Sequence, residues 1–82
     1  MSVEDKQLSI RARHAMARLP MDISELIITS SRGMIEMNGK VKKLSKGGGE
    51  ISLEKEFRRG VDVVRSLPGV KEVISERVRV LD

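Results

Sequence analysis

Residues 32–41 read Arg32-Gly33-Met34-Ile35-Glu36-Met37-Asn38-Gly39-Lys40-Val41. Two glycines, six positions apart, frame a short run in which apolar and polar side chains alternate. A period of two marks a strand with one buried face. Ile35, Met37, Gly39 and Val41 fall on one side, and Met34, Glu36, Asn38 and Lys40 on the other. Gly33 closes the segment Ser30-Ser31-Arg32-Gly33, whose composition suits a tight hairpin needing a positive φ. Gly39 lies in the inward row, where a missing side chain lets a helix approach the sheet, at one of the first helix's alanines or at Gly60.

The segments on either side complete the pattern. Residues 23–30 are rich in β-branched side chains and predict the partner strand, with Leu26 and Ile28 on one face and Ile27 on the other. Ahead of it, residues 5–19 repeat Leu8, Ala12, Ala15, Met16 and Leu19 at helical spacing, with Glu4 and Asp5 at the positive end of the helix dipole and Pro20 as the stop. After the hairpin, strand 34–42 gives way to the Gly-rich loop 44–50, which holds Gly47, Gly48 and Gly49. A second helix over 53–67 follows, with Ser52 as N-cap and a stripe of Leu53, Phe57, Val61, Val64 and Leu67 beside Gly60. Its outer side offers Glu54 to Arg58 and Arg58 to Asp62 as i,i+4 pairs.

Pro68-Gly69 ends that helix, and strand 72–81 closes the chain. In this last strand Val73 and Val78 are five apart, which puts them on opposite faces of a regular strand. A bulge near Ser75-Glu76 brings them together; otherwise Ile74, Val78 and Val80 form the inner row. The order helix, strand, strand, helix, strand predicts an α+β fold: an αββαβ two-layer sandwich with a three-stranded mixed sheet and two helices packed on one face. The expectation is a single domain over residues 1–82.

Composition narrows the functional classes. Hydrophobic residues make up 39% of the 82, and Phe57 is the sole aromatic, so the core is thin and a partner or second copy is a natural support. No cysteine is present, which removes disulfides and thiolate metal sites. No apolar run follows Met1; as written the chain carries no signal peptide and no membrane span. The expected place is cytoplasmic and membrane-peripheral, or periplasmic if these residues are a piece of a longer protein. Of the net charge of +4, residues 1–32 hold +1, residues 33–49 hold +3 and residues 50–82 balance to zero. The excess therefore sits at one strand end and the loop after it.

In its order and spacing, the chain resembles the BON domain family, small bacterial domains named for an osmotically induced protein and nodulation proteins. The pattern glycine, two aliphatics, polar, aliphatic, polar, glycine, then valine two positions on is matched by Gly33-Met34-Ile35-Glu36-Met37-Asn38-Gly39-Lys40-Val41. Leu67-Pro68-Gly69-Val70 followed by Val73 resembles the second signature, and the likeness spans roughly residues 5–80. Two departures stand out: a longer, glycine-rich connection at 44–50, and Arg77 where the family has an aliphatic. The resemblance implies an αββαβ fold, phospholipid binding and association with the cell envelope. It carries no catalytic residue and no fixed ligand set.

The residues themselves point the same way, less specifically. His14 is the sole histidine, and no nucleophile, paired carboxylates or metal-ligand spacing can be assembled, so neither an enzyme nor a cofactor is expected. Lys40, Lys42, Lys43 and Lys46 run toward a helix N-terminus, where backbone N–H groups and the dipole favour a phosphate; the alternative is a solvated charged loop. Arg11 and Arg18, with His14 between them, line one flank of the first helix and suit an anionic phospholipid surface, or are ordinary surface arginines. Nucleic acid is disfavoured by the lack of stacking aromatics and of a helix-Gly-x-x-Gly-helix clamp. A membrane-associated partner is the alternative to the lipid itself. The third reading is a protein-interaction or homo-oligomerising domain with no lipid ligand, self-associating through the exposed sheet face or a free edge strand.

Overall fold

The computed structural model describes residues 3–44 and 52–81. Its elements are α1 (Val3–Ala17), β1 (Leu26–Ser31), β2 (Met34–Lys42), α2 (Leu53–Arg65) and β3 (Glu72–Leu81). The three strands form one mixed sheet in the order β1-β2-β3, with β1 antiparallel and β3 parallel to the central β2. The fold is α+β, as the hydrophobic periodicities imply.

Both helices cover one face of the sheet. Leu8, Ala12 and Met16 of α1 and Leu53, Phe57, Gly60, Val61 and Val64 of α2 are buried. They meet Leu26 of β1, Ile35, Met37 and Val41 of β2, and Val73 of β3 in one core. At Gly60 α2 packs tightly against Met16 of α1 and Leu19 just after it: an added Cβ would lie 2.6 Å from Met16 Sδ and 2.8 Å from Leu19 Cδ1. The close helix approach expected beside Gly39 is thus made at Gly60, one helix against the other. No described helix is long and apolar enough to cross a membrane.

Strands β2 and β3 begin and end where the alternation ends. The other elements are shorter or shifted, for local reasons. Helix α1 runs 3–17 rather than 5–19, because Leu19 precedes Pro20 and is kept from the helical region. Residues 23–25, expected as strand, form a turn instead. The Ser24 N–H donates to Asp22 Oδ1 at 2.8 Å and the Leu26 N–H to the Ile23 carbonyl at 3.0 Å, so the side chain of Asp22 diverts the backbone from the ladder. Helix α2 stops at Arg65, where the Ser66 N–H bonds back to the last turn. On its surface Glu54 pairs with Arg58 at 3.2 Å, but Asp62 pairs with Arg65 at 3.2 Å rather than with Arg58. Of the loop 44–50, residues 45–50 lie outside the described residues.

The hairpin is a two-residue turn with Arg32 at φ 53° and Gly33 at φ 84°, closed by the Ser31–Met34 pair. Two successive positive φ values match the twist of the flanking strands. The bulge in β3 is present. Glu36 pairs with Ile74 but Asn38 with Arg77, so Ser75 and Glu76 together oppose Met37. The extra residue returns Val78 and Val80 to the helix side, opposite Gly39 and Val41 and in line with Val73.

Candidate anion-binding face

The alternation that buries one row of each strand leaves the other row uncovered. On this open face β2 contributes Met34, Glu36, Asn38, Lys40 and Lys42. The residues opposite them on β3 are Glu72, Ile74, Arg77, Arg79 and Leu81. Ile27 and Met34 are exposed, as expected, and Leu81 with them.

Lys40 stands directly opposite Arg79, and Asn38 directly opposite Arg77. Like charges facing each other across a ladder are destabilising, so this pairing is a local cost of the fold. Among the described residues neither Lys40 nor Arg79 forms an ion pair; Arg77 reaches Glu36 at 3.9 Å. Glu36 also accepts a hydrogen bond from Asn38 at 3.1 Å. The face therefore carries a basic pair with no close ion-pair partner among the described residues, although Lys40 acts at longer range on the Glu25 carboxylate. Exposed Ile27, Met34 and Leu81 share the face.

Lys42 differs from Lys40, although both lie on the same row. Its ammonium is paired with Glu25, and its backbone bridges to Asp22, with the Asp22 N–H donating to the Lys42 carbonyl at 2.8 Å. The hydrogen bond from Lys42, and then its charge, holds the Glu25 carboxyl below its usual 4.5; the same hydrogen bond raises Lys42 above 10.5. The Ser24 backbone N–H lowers Asp22 below its usual 3.8. Lys42 thus fastens the turn before β1 to the end of β2, and a ligand there would compete with Glu25 for it.

These shifts predict a pH dependence. A carboxylate with a depressed folded pKa stabilises fully above its unfolded value and ceases to as pH falls through the folded one. Glu25 stabilises the fold above about pH 4.5 and loses that contribution at lower pH, while Lys42 loses its own only as pH rises past 10.5. Acid unfolding of Glu25→Gln, followed by circular dichroism, should show a shallower fall in stability below pH 4.5 than the parent protein.

The remaining sequence candidates fall elsewhere. Lys43 is exposed just past the end of β2, and Lys46 lies outside the described residues. The start of α2 is already served by the chain: Ser52 Oγ accepts the Lys55 N–H at 3.3 Å, and Glu54 and Glu56 occupy the first turn. Acidic side chains there answer the dipole and oppose an added phosphate.

Arg11 and Arg18 are exposed on the helix layer, across the sheet from Lys40. Helix α1 begins at the hairpin, where Asp5 Oδ1 accepts the Arg32 N–H at 3.0 Å, and then runs back along β1. Arg13 donates to the carbonyls of Leu26 at 2.8 Å and Ile23 at 3.1 Å. Arg11 therefore lies toward the hairpin, in an open cleft of about 520 Å³ with Arg32, Lys71, Glu4 and Asp5. Arg18 lies toward the opposite end, about 10 Å farther along the helix direction at 1.5 Å per residue. The two sets of basic residues cannot meet one flat surface together.

Arg77 and Arg79, not among the residues singled out from the sequence, join Lys40 on the open face. Their signal was the parity change after the bulge, which places both on the open face. Among the described residues, no three His, Asp or Glu side chains gather to hold a metal ion. No protein-family model matches this chain, and no curated protein matches it either.

Proposed function

We propose that this protein is a non-enzymatic binding module that docks on an anionic phospholipid surface through the open face of its sheet. The observation that carries the reading is the Lys40–Arg79 pair, two cations held side by side on an uncovered face with no ion-pair partner among the described residues. A plane of phosphates relieves their repulsion, and each basic side chain near such a surface adds about 1 kcal/mol. Exposed Ile27, Met34 and Leu81 lie on the same face and suit the interface beneath the headgroups. The resemblance to the BON family supports the same chemistry. Single-stranded nucleic acid fits less well, because Phe57, the one aromatic side chain, is buried among the core residues.

Vesicle co-sedimentation tests the proposal. Vesicles rich in phosphatidylglycerol should retain the protein at low salt, and phosphatidylcholine vesicles should not. The double variant Lys40→Gln, Arg79→Gln should bind about thirtyfold more weakly, the equivalent of about 2 kcal/mol for two basic side chains. Arg11→Gln with Arg18→Gln, on the other layer, should change binding little. Equal retention by both kinds of vesicle would overturn the proposal.

A further inference from the structure

We propose that the free edge of β3 pairs antiparallel with β3 of a second copy, joining two three-stranded sheets about a two-fold axis. The two edges of the sheet are not alike. On β1 the Leu26 carbonyl is taken by Arg13, and Ser30 Oγ donates to the Asp5 carbonyl, so helix α1 is tied to that strand at both ends. On β3, among the described residues, no hydrogen bond is made with the backbone on the side away from β2. At ten residues β3 is also the longest strand.

The side chains of β3 say what pairs with it. Its acids, Glu72 and Glu76, precede its arginines, Arg77 and Arg79. A strand with acids in its first half and bases in its second is complementary to its own antiparallel copy. With the Ser75–Glu76 bulge on the two-fold axis, Glu72 of one copy faces Arg79 of the other, Val73 faces Val78 and Ile74 faces Arg77. The bulge makes this consistent. Residues 72 and 79 are seven apart and would lie on opposite faces of a regular strand, but the extra residue puts both on the open face.

Helix α2, whose rim alternates acid and base in two pairs within the chain, is also complementary to its own antiparallel copy. A groove of about 450 Å³ runs between α2 and β3, floored by Phe57, Val61 and Val80. Its rim reads Glu54, Arg58, Asp62, Arg65. Across the same axis the second copy's α2 lies antiparallel, so Glu54 meets Arg65 and Arg58 meets Asp62. Pairing also covers the apolar floor of the groove and sets both open faces on one side of a six-stranded sheet. There Arg79 lies between Lys40 of its own chain and Glu72 of the other copy, and Lys40 stays free to meet a phosphate. A two-fold pairing of this kind is closed and leaves only the two β1 edges outside, each tied to its own α1.

Sedimentation velocity over a range of protein concentrations, without lipid, reads the pairing separately from membrane binding. The parent chain should rise from one chain's mass toward twice that mass. Glu72→Arg or Arg79→Glu alone places like charges opposite each other twice per dimer and should keep the chain monomeric. The double exchange Glu72→Arg, Arg79→Glu restores the opposite charges and should restore the dimer. Within one chain these positions are seven residues, about 23 Å, apart, so rescue can arise only between copies. Because the chain has no cysteine, Glu76→Cys should also cross-link on oxidation, whereas Ile27→Cys on the other edge should not. A parent chain that stays monomeric throughout, single variants that still dimerise, or a double exchange that does not rescue would each overturn the pairing.

Discussion

Replacing Gly39 with alanine is expected to lower the unfolding free energy by about 3 kcal/mol, seen as a fall in the urea midpoint at unchanged slope. Two effects add. The φ of Gly39 is +101°, beyond the left-handed well that a side-chain-bearing residue can visit. A Cβ there would also lie 2.2 Å from the Glu25 carbonyl oxygen, and that oxygen is backbone. It accepts the Lys40 N–H at 3.1 Å, where the ladder of β1 gives way to the turn at Asp22. Relief of the overlap therefore breaks the bond that fixes the entry of β1. For a small domain with a total stability near the low end of about 5–15 kcal/mol, this is most of the margin. Gly60→Ala makes the contrast. Its Cβ meets the flexible ends of Met16 and Leu19, which can shift, and alanine gains about 1 kcal/mol of helix propensity over glycine, so the net loss is smaller.

Ile35→Ala should cost about 3–4 kcal/mol, and Ile35→Val about 1 kcal/mol, in the same denaturation experiment. Ile35 is wholly inaccessible and sits on the central strand, with Ser30 on one side and Val73 on the other. A cavity at this position lies beneath both helices, and a core with one aromatic side chain has few large groups to fill it. A loss from Ile35→Ala no larger than that from Ile35→Val would mean the core collapses freely around the vacancy. That outcome would contradict the packing described above.

Much of this architecture is legible from periodicity. The alternation from Met34 to Lys42 sets the bounds of β2 and the identity of its buried row. The stripe from Leu53 to Val64 sets the buried face of α2. Even the bulge could be foreseen, since Val73 and Val78 cannot share the face of a regular strand. Each is a local pattern imposed by a single burying surface, which is why it can be read without coordinates. The start of β1 was less legible, because the side chain of Asp22 competes with the ladder for the backbone, and β-propensity does not register that competition.

The sequence by itself therefore determined the order of the elements, the inward rows of β2 and α2, the hairpin at Gly33 and the surplus of lysine after β2, while the inward row of β3 waited on its bulge. Only the tertiary structure decided which charges meet. Lys40 and Lys42 are equivalent in any reading of β2, yet one faces Arg79 and the other is held by Glu25. That difference depends on the register of β3 and on the turn before β1, both set by pairings between segments distant in the chain. Gly39 has the same cause. Its place in the inward row is local information, while the carbonyl that excludes a side chain there belongs to Glu25, on another strand's approach.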